Sequence, residues 1–468
     1  MQAAPAGPDV LFLSVRELSE RIRKKELSPV ELATAYLERL ESVGPLLGAV
    51  VTVTRDLAMN EAKAAEAEIA ARKWRGPLHG IPYGVKDLLA TKGVPTTWGA
   101  EPFRGQVFDY DATVVRKLRE AGAVLIAKLA MVELAGAFGY NNPDASFTGP
   151  GRSPWNVDYW SGGSSSGPAA AAAAGLVAFS IGSETSGSII TPAAYSGVSG
   201  LRPTYGRVSR YGAMALCRTL DKLGPICRTA EDCGLVMAAI AGADPLDPTT
   251  VDRPWRPQRG ARRFRVGVLK ASAEKAQPEV RKNLEEAVNV LRSFCDVTDD
   301  VPFPDFPCGP AVSTIVGTEG ASAFRDLIES GGTRKLRAAN DKWGGIPGSR
   351  VLAVDYLQAM RLRAPVRRAL DGLCTTYDAL VAPSRQTVAS PIGVDFDKAY
   401  PGIGGGPEVI PAGNLAGQPA ISVVSGFGEN GLPTGIQFQG RAFADETLVA
   451  IAAEYQRRTD WHTRRPPV

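Results

Sequence analysis

Two glycine- and serine-rich stretches lie close together in the chain: Ser161-Gly162-Gly163-Ser164-Ser165-Ser166-Gly167 and Gly182-Ser183-Glu184-Thr185-Ser186-Gly187-Ser188. Hydroxyls so placed are candidate nucleophiles for acyl transfer, and the glycines Gly162, Gly163, Gly167 and Gly187 let the backbone approach a substrate closely. A serine nucleophile needs a base, and histidine is the common one. The 468 residues include only two histidines. If these serines react, another group must activate them.

Three bases can be weighed. Gly163-Ser164-Ser165-Ser166-Gly167 fits the GxSxG elbow with Ser165 as nucleophile. Such matches arise easily where glycine and serine dominate, Trp155–Trp160 makes a poor buried strand to lead into an elbow, and the base would be His462 in an Arg/Pro-rich tail. Ser272-Ala273-Glu274-Lys275 has Ser-x-x-Lys spacing, but lies in a polar loop without Ser-Asp-Asn or Lys-Thr-Gly companions. The third candidate is Lys86, which follows the apolar run Ile81–Val85 and precedes Asp87. Lysine rarely sits behind such a run. Taken alone, a lysine–carboxylate pair at a strand end is more often structural.

An ordinary lysine, with a pKa of about 10.4, is almost wholly protonated at pH 7. Burial behind Ile81–Val85 should lower that value, and a shift of roughly three units corresponds to about 4 kcal/mol. Asp87 would oppose the shift if it faced the ammonium, so it is expected to point elsewhere. A flexible Gly/Ser linker is the bland alternative for both serine stretches. The intervening Ala169–Ala174 and Val177–Ile181 read instead as a helix and a buried strand.

The elements that must hold these groups are legible in outline. Ser14-Val15-Arg16-Glu17 and Ser28-Pro29-Val30-Glu31 are capping boxes that open two packing helices. A third helix is expected from Asp56 to Lys73. After Gly76, short apolar runs at Ile81–Val85, Val124–Ala127 and Val177–Ile181 alternate with helical patterns such as Ala112–Ala121, the rhythm of an α/β sheet. Asp252–Arg263 reads as a surface crossing. A strand at Phe264–Leu269 and a helix from Pro278 follow. Residues 303–350 show no clear period and suit either substrate loops or variable surface.

Composition narrows the classes of function. The 53 Lys+Arg against 49 Asp+Glu leave a net charge of +4, which makes no case for nucleic acid or membrane partners. Six scattered cysteines without a CxxC pair, and so few histidines, indicate neither a zinc site nor a disulfide framework, and no metal or cofactor is expected. Met1–Val10 does not read as a secretion signal, and Pro168–Ile181 is too short to span a bilayer. A cytoplasmic protein is expected.

The Lys86 segment, the Gly-Gly-Ser-Ser stretch and the segment ending Gly187-Ser188-Ile189 resemble the three signature elements of the amidase signature family. Ser164 and Ser188 are 24 positions apart, the separation that family keeps between its two catalytic serines. Further matches are Ser153-Pro154-Trp155-Asn156, Gly200–Ser209, Asp221–Pro225, Asn414–Ser422 and Gly431–Gly435. The resemblance implies an α/β fold with a central mixed sheet covered by helices on both faces. It implies one domain made of N-terminal helices (1–75), a catalytic core (76–250), a second lobe with variable substrate loops (251–400) and a C-terminal return to the core (401–468).

By the same resemblance, Ser188 is the nucleophile, Ser164 a bridging serine on a cis peptide bond, and Lys86 the base. Backbone N–H groups of Thr185, Ser186, Gly187 and Ser188 form the oxyanion hole. Met131, Phe138, Gly139, Tyr140, Asn141 and Gly163 line the substrate site. The chain departs from the family's pattern at Ser166, Glu184, Ser186 and Ile190. Ile190 stands where an arginine would pair with the residue at 184, so Glu184 is expected to have lost that partner and Ile190 to meet an apolar surround.

The implied activity is hydrolysis of neutral aryl or alkyl amides through an acyl-enzyme, with esters, carbamates and urethanes as additional substrates, by a monomer or homodimer. Two alternatives are the glutaminase subunit of a tRNA-dependent amidotransferase and a non-catalytic scaffold. Gly200–Ser209 looks especially like the glutaminase subunit. The acidic residue expected there before Asn414 has only a near neighbour, Glu408. Retention of Lys86, Ser164 and Ser188 argues against a scaffold.

Overall fold

Both capping boxes form. Ser14 Oγ accepts the Glu17 N–H at 3.2 Å while Glu17 takes the Ser14 N–H at 2.8 Å, and helix Val15–Arg23 follows. Ser28 Oγ accepts the N–H groups of Val30 and Glu31 at the start of helix Pro29–Leu47. These reciprocal bonds satisfy amides that a helix start would otherwise leave unpaired. Val15, Leu18, Ile22, Leu32, Tyr36 and Leu40 are all buried, as their helical spacing requires. The third helix spans Arg55–Ala70, three residues short of the expected end.

The computed structural model describes residues 8–258, 262–403 and 407–468. Its centre is an eleven-stranded sheet. From one edge to the other the strands are Val50–Val53, Val124–Leu129, Pro82–Lys86, Phe179–Glu184, Lys222–Cys227, Ser199–Arg202, Ala420–Phe427, Pro433–Gln439, Ala379–Pro383, Phe264–Val268 and Cys295–Thr298. The sheet is mixed: the Lys86 strand runs parallel to both neighbours, whereas Phe179–Glu184 is antiparallel to Lys222–Cys227. Every residue of the Lys86 strand and of its neighbours Val124–Leu129 and Phe179–Glu184 is buried. Unbroken burial of alternating side chains means both faces of the sheet are covered there, and helices flank it.

Helix Ser166–Ala173 and strand Phe179–Glu184 separate the two serine stretches, so the linker reading fails. Asn156–Trp160 does form a strand, but in a separate two-stranded ribbon and mostly part-exposed. Asp252–Gln258 is irregular and largely exposed, and residues 259–261 of the expected crossing lie outside the described residues. The stretch 303–350 contains a 16-residue helix, Cys308–Ala323, that its sequence hides. Gly309, Gly317 and Gly320 lower its helical propensity, and its buried face rests largely on small side chains such as Cys308, Ala311 and Ala321.

Candidate active site

Lys86 is the last residue of its strand and is wholly buried. Its Nζ donates to Ser164 Oγ at 2.7 Å and to Ser183 Oγ at 2.9 Å. Side chains alternate along a strand, so the next residue leaves in another direction. Asp87 turns to Lys128 Nζ at 3.3 Å and to the Thr97 N–H at 2.9 Å. With Asp87 engaged elsewhere, burial lowers Lys86 to about 7, against the partial opposition of the Asp221 and Glu184 carboxylates.

The Gly163–Ser164 peptide is cis. Ser165, the residue of the GxSxG match, is wholly buried; its Oγ donates to the Ser183 carbonyl at 3.1 Å and accepts the Ser183 N–H at 3.2 Å. These bonds tie the first serine stretch to the strand that presents Ser183 to Lys86. The Ser165 N–H donates to the Ser188 carbonyl at 3.3 Å and so holds the Ser188 backbone one residue from Ser164. Ser188 itself is part-exposed and lines a cavity. Among the described residues its hydroxyl has no hydrogen-bond partner.

Between strand Phe179–Glu184 and helix Ile190–Ser196, the amides of Thr185, Ser186, Gly187 and Ser188 donate to no acceptor among the described residues. The next two amides are engaged. Ile189 and Ile190 N–H donate to one Glu184 carboxylate oxygen at 2.8 and 3.0 Å. The positive end of this short helix is therefore taken up by Glu184, while the four preceding amides have no acceptor among the described residues.

Glu184 is not short of a partner, contrary to expectation. Arg202, wholly buried on the strand Ser199–Arg202, meets its other oxygen at 3.0 Å, and Asn414 Nδ2 donates to that same oxygen at 3.0 Å. Although burial opposes ionisation, the Arg202 guanidinium and these donors hold Glu184 below its ordinary value. Ile190 sits in an apolar cluster with Leu380, Val409 and Ile410, as expected.

Two cavities meet at this loop. One, of about 860 Å³, is lined by Phe138, Gly139, Tyr140, Ser186, Gly187 and Ser188 among others; Arg385 and Glu408 also reach it. The other, of about 780 Å³, lies on the side of Ser183 and Asp221. Three of the expected substrate residues lie off both surfaces. Met131 follows the end of its strand and is wholly buried in the main core. Asn141 Nδ2 turns to Asp395 at 3.4 Å. Gly163 is covered by Trp160 and Val132.

The match to the amidase family runs over residues 31–449. The chain belongs to the amidase family. Its members are hydrolases of carbon–nitrogen bonds and act on small-molecule substrates. The A subunit of the glutamyl-tRNA(Gln) amidotransferase of Moorella thermoacetica is 36% identical to this amidase over 490 aligned residues, covering 98% of this chain and 99% of its own. The corresponding protein of a Roseiflexus species is 38% identical over 484, covering 97% and 98%. Among solved structures, the native peptide amidase of Stenotrophomonas maltophilia superposes with a TM-score of 0.82 at 31% identity, covering 97% of this chain and 98% of its own.

The rival bases lie elsewhere in this amidase. His462 sits in the short turn Trp461–Thr463, and Lys275 is exposed while Ser272 Oγ bonds back to the Leu269 carbonyl; the other histidine, His79, which is not among those candidates, pairs with Glu68 at 3.2 Å. Sequence reasoning missed Ser183 as the second anchor of Lys86. No sequence signal marks it, because the parallel pairing of Pro82–Lys86 with Phe179–Glu184 that brings it beside Lys86 is a property of the sheet. It also missed Arg202, which only the sheet topology brings to Glu184. Among the described residues no cluster of His, Cys, Asp or Glu is arranged to hold a metal, and no helix is long and apolar enough to cross a membrane.

Proposed function

We propose that this amidase hydrolyses neutral aryl or alkyl amides through an acyl-enzyme on Ser188, and takes esters, carbamates and urethanes as additional substrates. The observation that carries the reading is the 2.7 Å hydrogen bond between Ser164 and a buried lysine lowered to about 7. At neutral pH about half of such a lysine is uncharged and able to accept a proton. Ser188 Oγ attacks the carbonyl carbon; its proton passes to Ser164 as the Ser164 proton passes to Lys86. The Ser188 hydroxyl turns toward Ser164 when substrate fills the cavity, since catalytic bonds often tighten only in the complex.

The free amides of Thr185 to Ser188 receive the oxyanion, where each donor typically contributes on the order of 100-fold or more in rate. As the intermediate collapses the C–N bond breaks and the proton returns through Ser164 to the leaving nitrogen. Water then attacks the acyl-enzyme by the same relay and releases the acid. The chain works as one domain, as a monomer or homodimer in the cytoplasm.

A second reading, glutaminase within a tRNA-dependent amidotransferase, is favoured by the likeness to the Moorella and Roseiflexus amidotransferase proteins and by Arg385 and Glu408 at the Ser188 cavity. Glutamine carries both charges that such a pair would meet. Wild type, Ser188→Ala and Lys86→Ala are to be assayed on p-nitroanilides, carbamates and glutamine. The hydrolase reading expects turnover of the neutral substrates that both substitutions abolish. Ammonia release from glutamine alone, or only with co-purifying subunits, would favour the second reading, and turnover unchanged by either substitution overturns the mechanism.

A further inference from the structure

The second cavity has no part in the steps above, and its position gives it one. It shares Ala135, Thr185 and Leu216 with the Ser188 cavity, so the two adjoin at the start of the proposed oxyanion loop. Phe324 on its side meets Phe138 of the other edge-on, with ring centres 5.9 Å apart, and the pair forms part of the wall between them. Ser188, the proposed nucleophile, lines the first cavity together with Ser186 and Gly187. Ser183, the residue that anchors Lys86 alongside Ser164, faces the second. The acyl carbon must lie with Ser188, and the leaving nitrogen must lie toward the groups that return its proton.

The lining of the second cavity has a definite chemistry. Phe324, Trp98, Phe108, Tyr110 and Tyr211 make a continuous run of rings, with successive centres 6.2, 6.3, 5.4 and 5.7 Å apart. Its inner carboxylates are already engaged. Asp221 accepts from Thr185 Oγ1 and from the Leu216 and Cys217 amides; Glu319 accepts from Thr219 and the Tyr356 hydroxyl. They are poorly placed to pair with an alkylammonium. An arylamine leaves as a neutral base at pH 7 and suits a wall of rings, where offset and edge-on aromatic contacts are favourable.

The backbone is also held unusually here. Trp98 and Ala135, both on the cavity wall, have φ of +56°, and Leu134, next to Ala135, has φ of +50° and donates its N–H to the Trp98 carbonyl at 2.9 Å. Left-handed conformations at such residues persist only where surrounding structure enforces them, and they cluster at functional sites.

We propose that this second cavity is the leaving-group chamber and that it selects amides of aromatic amines. This rests on the hydrolase reading above. The bond broken joins the acyl carbon in the Ser188 cavity to the arylamine nitrogen at the neck. The nitrogen takes the relayed proton, and the arylamine departs through the ring-lined chamber while the acyl group stays on Ser188 until water releases it.

Acetanilide, with its ring on the amine side, and benzamide, with its ring on the acyl side, separate the chambers. Phe108→Ala, which opens the ring wall, and Ala213→Trp, which fills the chamber, should each lower the acetanilide-to-benzamide ratio of kcat/KM at least tenfold. Phe138→Ala should raise it. Aniline binding by calorimetry should weaken at least tenfold in Ala213→Trp. Turnover of both amides with an unmoved ratio, or loss of acetanilide selectivity in Phe138→Ala alone, overturns the chamber assignment and leaves the hydrolase reading standing. Aniline binding that Ala213→Trp weakens, without turnover of either amide, leaves only an arylamine-binding cavity and overturns the hydrolase reading together with the leaving-group assignment that rests on it; no aniline binding overturns the chamber.

Discussion

Lys86 Nζ and Ser164 Oγ lie 2.7 Å apart, and among the described residues no carboxylate bonds the lysine directly. Asp87, its neighbour in sequence, is committed to Lys128 and Thr97. Burial thus acts on Lys86 with only the more distant Asp221 and Glu184 against it, and its pKa falls to about 7. On the proposed relay the neutral amine is the working form, so kcat/KM should rise with pH through about 7 and level off above it. Lys86→Ala should lower kcat by roughly 100- to 10,000-fold, the usual contribution of a general base. A limb that rises only near pH 10 would show that Lys86 titrates as an ordinary lysine.

The same shift has a cost in stability. The folded-state pKa of about 7 lies below the unfolded value, so the unfolded chain binds the extra proton between the two. Stability should therefore increase as pH rises from about 7 toward 10, with the full penalty present below 7. At pH 7 that penalty is about 4 kcal/mol. Lys86→Met removes it but leaves the Ser164 and Ser183 hydroxyls without their donor, at about 1–3 kcal/mol each, so the two effects nearly offset at pH 7. The pH dependence separates them: the stability of Lys86→Met relative to wild type should fall by about 3–4 kcal/mol between pH 7 and pH 10 in denaturant titration, as the wild type sheds its penalty.

Glu184 positions the reactive loop through two amides and is itself held by Arg202. Removing one member of a buried ion pair leaves the other charge unpaired, typically at 3–5 kcal/mol. Glu184→Gln and Arg202→Met should each destabilise the protein on that scale and, on the proposed mechanism, lower kcat more than they raise KM, because the amides proposed to receive the oxyanion lose their alignment. In a double-mutant cycle the paired substitution should be less damaging than the sum of the singles. Additive effects would mean that the two residues act separately.

What the sequence disclosed was mostly local or periodic. The boxes at Ser14–Glu17 and Ser28–Glu31 lie within one helical turn, and the apolar run before Lys86 announces a buried strand end by itself. Asp87 facing away from Lys86 is expected on electrostatic grounds, because a carboxylate at the ammonium would oppose the lowered pKa. Arg202 escaped notice because its bond to Glu184 depends on where one strand lies relative to another in the sheet. Helix Cys308–Ala323 was hidden by weak helix formers, and the ring-lined chamber by the wide separation of Trp98, Tyr211 and Phe324 along the chain.

Ser165 and Ser188 offer the sharpest contrast between a serine that holds structure and one proposed to react. Ser165 Oγ has its donor and acceptor capacity committed to the Ser183 backbone in a fully buried setting. Ser188 is part-exposed on the cavity, beside four amides with no acceptor among the described residues. Ser165→Ala should cost about 1–3 kcal/mol in stability through the orphaned Ser183 groups, and should lower turnover by no more than about tenfold, on the scale of about 1.4 kcal/mol in the barrier. Ser188→Ala should keep near-native stability and lose measurable turnover. The distinction rests on measuring thermal unfolding and p-nitroanilide hydrolysis on the same preparations. An active Ser188→Ala beside an inactive, well-folded Ser165→Ala would reverse the assignment and return the nucleophile to the GxSxG segment.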